Sequence, residues 1–158
     1  MTDTERKEKI NKVQNLPPLA EQAVRGLSDQ QLDTPYRLNG WTVRQVIHHL
    51  ADSHMNAFIR TKLILTEENP TLKTYEQEDW AKTPDASKLP VEASLNILTG
   101  LHGRWVHLLK NTKPEAWKRT AMHPEKGLIT LDDILEIYAR HGENHVAQIT
   151  GLRSARGW

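Results

Sequence analysis

The chain contains no cysteine among its 158 residues. Disulfides, CxxC redox chemistry, a cysteine nucleophile and thiolate metal ligands are therefore excluded, and any metal ion must be bound by histidine, aspartate or glutamate. Only one phenylalanine is present, whereas there are eight histidines and five tryptophans. This unusual balance directs attention to the histidines.

Long apolar runs are also lacking. The N-terminal segment MTDTERKEKINK is polar from its first residues and has no apolar centre of a signal peptide. No run approaches the roughly 20 apolar residues of a membrane span. The 21 Lys and Arg residues nearly balance the 20 Asp and Glu residues, so no basic field indicates nucleic acid. We therefore expect a cytoplasmic protein that contacts neither membrane nor nucleic acid.

Four long segments have the periodicity of amphipathic helices. They cover roughly residues 5–27, 42–66, 90–111 and 130–152. The first is expected to break or kink at LPPL, because its two prolines lack backbone donors. Thr42 with Gln45, and Thr130 with Asp133, are typical of helix N-terminal caps. KPEAW predicts a short extra turn, MHPEKGLI predicts a loop, and strand signals are weak throughout.

The segment from residue 67 to residue 90 has no strong pattern. Such a length is uncommon inside a compact domain, so we expect either a lid over a site or a plain surface excursion. Residues 1–158 are predicted to form one domain of the all-α class. The predicted architecture is a four-helix bundle with a long connection between its second and third helices.

The histidines cluster on two of the predicted helices. In RHGENHVAQI, His141 and His145 have the i, i+4 spacing that two imidazoles need to bind one ion. A glycine follows His141, so the pair is not the HExxH motif of zincins. In IHHLADSH, the helical phase places His54 near the middle of the apolar stripe. The phase does not choose between His48 and His49.

Three stretches resemble the DinB/YfiT-like superfamily: LDTPYRLNGWTVRQVIHHLADSHMNAFIRTKLILTEENP, LHGRW and ITLDD…YARHGENHVAQIT. The resemblance implies a four-helix bundle, often a homodimer, that binds one divalent metal ion per chain through three histidines. The matching positions in this sequence are His49, His141 and His145. Zinc or nickel is the expected metal, with manganese or iron as alternatives.

The resemblance also implies two chemistries, because the superfamily includes bacillithiol S-transferases and metal-dependent hydrolases. In the first, the metal activates the thiolate of bacillithiol or a similar small thiol for attack on an electrophile. In the second, the metal activates water. No general base stands out in the sequence, which favours thiol transfer. A non-catalytic metal-binding bundle and a helical partner-binding module with packed histidines stay open as alternatives.

Three further residues are candidates for the surroundings of the site. Asp52, three residues after His49, is a candidate to orient a ligand imidazole, with an exposed helix carboxylate as the alternative. His102 and Arg104, both in LHGRW, are candidates for substrate binding. Arg104 would use its two-pronged donor geometry on a carboxylate, and a surface ion pair is its alternative role.

Overall fold

The computed structural model describes all 158 residues and confirms the four-helix bundle. Its long helices are α1 (Asp3–Val24), α3 (Val43–Thr66), α6 (Glu92–Lys110) and α7 (Leu131–Arg156). Helix α1 packs against α6 and α7, and α3 packs against the same two helices. Thus α1 and α3 lie diagonally across the bundle. No helix combines the length and apolarity needed to cross a bilayer.

The predicted caps define where two of these helices begin. The Thr42 side chain accepts from the Gln45 backbone while the Gln45 side chain accepts from the Thr42 backbone, which closes a capping box at α3. Thr130 and Asp133 form the same reciprocal pair at α7. These boxes fix the N-terminal ends of the two helices that carry most of the histidines.

Of the break or kink predicted at LPPL, the break is absent from helix α1. The helix runs continuously through Pro17 and Pro18. Pro17 cannot donate to the carbonyl of Val13, four residues earlier. That carbonyl instead accepts a hydrogen bond of 2.6 Å from Nδ1 of His102 on α6. A side chain from another helix therefore replaces the missing backbone bond.

The connections contain more regular structure than the sequence indicated. The segment after α3 includes two short helices, α4 (Gln77–Trp80) and α5 (Pro84–Lys88), and a third, α2 (Asp29–Leu32), precedes α3. The predicted extra turn at KPEAW is present as a 3-10 helix, Pro114–Lys118. The predicted loop at MHPEKGLI is wrong, because β1 (Thr120–His123) and β2 (Gly127–Thr130) pair there as an antiparallel hairpin. Gly127 supplies the positive φ of 73° for its turn.

Two apolar clusters make up the core, and every long helix passes from one to the other. One cluster includes Val13, Ala57, Trp105 and Ala139, and the other includes Leu16, Leu50, Leu98 and Ile149. Histidines occupy the crossing on three of the four helices: His54, His102, His141 and His145. A polar layer therefore divides the core at one level of the bundle.

Candidate metal centre

Three histidines converge at one side of this polar layer. His49 comes from α3, and His141 and His145 come from successive turns of α7. Nε2 of His141 lies 3.1 Å from Nε2 of His49 and 3.2 Å from Nε2 of His145. One ring nitrogen of each residue lies within 4.8 Å of the other two, so one ion could contact all three. We call these residues the histidine triad.

A second set of imidazoles forms a hydrogen-bonded chain that leads to the triad. Nε2 of His102 lies 3.0 Å from Nδ1 of His54, and Nε2 of His54 lies 3.2 Å from Nδ1 of His141. Both His54 and His102 are almost fully buried. Together with the Val13 carbonyl, these two residues form what we call the histidine chain.

The Val13 carbonyl fixes the direction of every bond in the chain. A carbonyl only accepts, so Nδ1 of His102 carries its proton and Nε2 is an acceptor, provided that the ring is neutral. His54 must then donate from Nδ1 and accept at Nε2. His141 donates from Nδ1 in its turn, and its Nε2 lone pair is left bare, facing the triad. The usual carboxylate or carbonyl behind a metal-binding histidine is replaced here by two further imidazoles.

The same reasoning applies to His145. Its Nδ1 lies 2.8 Å from Oε1 of Gln148 and donates to that oxygen, which leaves Nε2 bare. Bare lone pairs of His141 and His145 thus face each other at 3.2 Å, with at most one proton, from His49, available between the three rings. A cation satisfies such a donor set, whereas hydrogen bonding alone leaves lone pairs opposed. The residues therefore fit a divalent metal ion.

The triad is held in the neutral form that binds metals. Burial, with the charge of His145, lowers the pKa of His49 to about 3. Burial, with His145 and His49, lowers the pKa of His141 to about 2. Burial also lowers the pKa of His145, against the opposing effect of Gln148. All three imidazoles are consequently uncharged near neutral pH, so a cation does not have to displace the proton of an imidazolium.

An aromatic wall and two cavities adjoin the triad. The Trp41 ring lies 4.5 Å from the His49 ring and stacks on His145 at 6.3 Å. A cavity of about 250 Å³ is lined by Trp41, Glu78, His141 and His145, among others. A second cavity, of about 430 Å³, has His141 on its wall, and Gln77 of α4 lines both. The 67–90 segment therefore borders the triad.

The structure separates the remaining predicted residues from the triad. Asp52 makes no hydrogen bond to any histidine. Burial and the charge of Asp85 raise the pKa of Asp52 to about 6. Arg104 is exposed, with its guanidinium 5.3 Å from the Phe58 ring, and lines neither cavity. His102 cannot meet a substrate as predicted, because it is 2% exposed and both its ring nitrogens are bonded.

Sequence reasoning missed two residues that border the site. Glu78 lines the smaller cavity, and its Oε2 accepts from Nε1 of Trp41 at 3.0 Å. Arg60 of α3 lines the larger one. Glu78 lies in a segment without periodicity, and no local signal brings it to the triad. The signal for Arg60 was an arginine close to the apolar stripe of a buried helix.

Fold and site together define a class: four-helix bundles in which histidines of two helices converge on one ion-sized point. The DinB superfamily profile matches residues 15–149. The chain belongs to the DinB superfamily.

Relatives with close sequence similarity carry names that refer to metal dependence. A Bacillus mycoides protein and an Oceanobacillus iheyensis protein, each called a "putative metal-dependent hydrolase", are 50% identical over 149 residues, which cover 94% of this chain and 86% of each relative. The structure of YfiT from Bacillus subtilis, described as "a probable metal-dependent hydrolase with an unusual four-helix bundle topology", superposes with a TM-score of 0.97. The two chains are 43% identical, and the match covers 100% of this chain and 91% of YfiT.

A more distant structure shares the fold. The mycothiol-dependent maleylpyruvate isomerase superposes with a TM-score of 0.73 at 16% identity, covering 94% of this chain and 63% of the isomerase. At this identity the likeness concerns the fold alone. The four-helix arrangement thus extends to a protein with largely different side chains.

Proposed function

We propose that this protein is an enzyme that binds one divalent metal ion at His49, His141 and His145. The convergence of three Nε2 atoms, two of them with bare lone pairs, is the observation that carries the proposal. Three neutral imidazoles leave the full charge of the ion uncompensated and leave coordination positions free, as in catalytic sites. A bound ion would supply Lewis acidity that ionises a thiol or a water at neutral pH. The names of the relatives support metal dependence.

The leading activity is transfer of a small thiol, such as bacillithiol, to an electrophile. This reaction requires little from the protein besides the ion. The thiol proton leaves to solvent, the sulfur bonds to carbon, and a leaving group departs. Glu78, the carboxylate beside the triad that could act as a general base, is exposed and already accepts a hydrogen bond from Trp41. The apolar face of Trp41 beside His49 suits a hydrophobic electrophile.

A metal-dependent hydrolase is the second candidate, and one observation favours it. Glu78 lines the same 250 Å³ cavity as His141 and His145. A carboxylate in that cavity is a candidate general base for an ionised water. Glu78 is thus a candidate base that the sequence alone did not identify.

Conjugation and hydrolysis assays on the zinc-loaded protein test these candidates. Monochlorobimane with bacillithiol reports thiol transfer, and nitrophenyl acetate reports hydrolysis. We expect conjugation that disappears with His145→Ala and persists with Glu78→Gln. Ester hydrolysis that disappears in both variants, without any conjugation, would establish the hydrolase instead. Metal binding without turnover of either class would leave a metal-binding bundle.

The metal itself is a separate question. Zinc and nickel are the proposed ions, and mass spectrometry of protein purified without a histidine tag identifies the one that is bound.

The homodimer implied by the superfamily stays a prediction, and light scattering of the purified chain measures its oligomeric state.

A further inference from the structure

Arg60 is a buried arginine without a counter-ion. It is 8% exposed and projects from α3. Its Nη1 donates to the Tyr138 hydroxyl at 3.0 Å and its Nη2 donates to the Lys73 carbonyl at 2.6 Å. Its Nε is buried and has no hydrogen-bond partner. A guanidinium offers five N–H donors, so most of the donor capacity of Arg60 is unused.

Arg44, on the same helix, shows what a structural buried arginine looks like in this protein. It is 4% exposed, and it binds Asp33 at 2.7 Å and Asp29 at 2.8 Å. No carboxylate lies within ion-pair distance of Arg60. Because a buried charge without a partner is costly, the unpaired state of Arg60 points to a ligand.

The position of Arg60 connects it to the triad. Arg60 and His141 line the same cavity of about 430 Å³. The hydroxyl that Arg60 contacts belongs to Tyr138, whose ring centre lies 5.7 Å from that of His141. A molecule in this cavity could contact both the guanidinium and His141, one of the three triad residues.

The other charges in the cavity limit the ligand. Glu76, Glu125 and Lys126 also line it, while His123 is buried there with a pKa lowered by burial and by Arg60. The two carboxylates oppose a highly charged anion. A single planar carboxylate matches the fork of one guanidinium and accepts two parallel hydrogen bonds.

We propose that Arg60 binds a carboxylate group of the substrate or thiol co-substrate while the reacting end of the same molecule lies at the triad. The proposal rests on the proposed function and makes it more specific. It assigns carboxylate-bearing molecules as the ligand class. It also assigns to Arg60 the role that sequence reasoning gave to Arg104.

The test compares mercaptopropionate with mercaptopropanol, which differ in the carboxylate. Affinities for the zinc-loaded protein are measured by calorimetry for wild type, Arg60→Gln and Arg104→Gln. We expect wild type and Arg104→Gln to bind the carboxylate thiol at least about tenfold more tightly, the scale of one charged hydrogen bond. We expect Arg60→Gln to bind the two thiols equally. Equal affinities in wild type, or a preference that survives in Arg60→Gln, would overturn the proposal.

A second measurement keeps the carboxylate site separate from thiol chemistry and from folding of the variant. The Arg60 Nε–H resonance of wild-type protein is followed by NMR during titration with propionate, and with propanol as the control. A saturable shift with propionate alone supports the site, even if neither thiol binds and the proposed function fails. An unmoved resonance shows that no carboxylate binds Arg60, even if both thiols bind the metal.

Discussion

The histidine triad and the histidine chain are neighbouring groups of the same residue type with opposite arrangements of nitrogen atoms. In the chain, both ring nitrogens of His54 and of His102 are paired, each with an acceptor or donor of its own. In the triad, three Nε2 atoms face one another. Burial therefore does not distinguish a candidate metal ligand from a packed histidine in this protein. The difference lies in whether the second ring nitrogen has a hydrogen-bond partner of its own.

His141, a member of the triad, connects the triad to the histidine chain. Its Nδ1 is the last donor of the chain and its Nε2 belongs to the triad. The anchor of the chain is a carbonyl that Pro17 leaves free in α1. A backbone defect in one helix is thus transmitted, through two buried imidazoles, to the orientation of a candidate ligand on another helix.

Removal of a triad histidine should have the largest effect. His145→Ala takes away one of three ligands, and we expect metal content to fall from about one ion per chain to a small fraction of that. Plasma mass spectrometry of dialysed protein measures the content. His107→Ala, on the exposed side of α6, is the matched control and should keep its metal. Full metal content in His145→Ala would show that the triad is not the site.

Disrupting the hydrogen bonds of the histidine chain should lower the affinity for the metal ion without abolishing binding. His102→Leu removes the acceptor of His54 and leaves the Val13 carbonyl unpaired, so we expect metal affinity to fall about 10- to 100-fold. Competition with a chromogenic chelator measures this affinity. His48→Leu is the control, because His48 is equally buried but bonds to Ser94 and the Leu89 carbonyl, away from the triad. Equal losses of metal affinity in both variants would show that the histidine chain contributes only packing.

Part of this comparison was predictable from the sequence. The spacing of His141 and His145 indicated a pair of ligands, and the helical phase correctly placed His54 in the core. The phase could not select His49, because α3 is buried on nearly all sides and His48 is as buried as His49. Only the resemblance to the superfamily nominated His49 for the site.

The rest depended on contacts between distant parts of the chain. Pro17 signals a carbonyl without its backbone donor, yet nothing local identifies His102, 89 residues after Val13, as the partner of that carbonyl. The hairpin at residues 120–130 has strands of four residues, too short to show a period. Glu78 and Arg60 border the cavities because of tertiary packing. No local signal marks Glu78, and for Arg60 the sequence shows only an arginine close to the apolar stripe of a helix.

Acid should lower the stability that the histidine chain contributes to the fold. The lowered pKa of His102 determines the direction of this effect. Burial lowers the pKa of His102 to about 4 in the folded state, whereas an unfolded histidine has a pKa of about 6.5. Between these values the unfolded chain binds the extra proton, so stability falls as pH decreases, by about 1.4 kcal/mol per pH unit for this residue. The penalty of His102→Asn should therefore shrink as pH falls from about 6.5 towards 4. Urea unfolding measures it, and Val106→Ala should lose the same free energy at every pH.

The smallest effect concerns the spacing between α1, which carries the Val13 carbonyl, and α7, which carries His141. A Cβ at Gly142, next to His141 on α7, would lie 2.8 Å from Cδ2 of Leu16 on α1, whereas a Cβ at Gly151 meets nothing within 4 Å. Alanine at Gly151 should stabilise the helix by up to about 1 kcal/mol. Gly142→Ala should be less stable than Gly151→Ala by about 1 to 3 kcal/mol, the cost of overpacking. Thermal unfolding of the two variants gives the difference. Equal stabilities would mean that the Leu16 side chain moves aside without a cost in free energy.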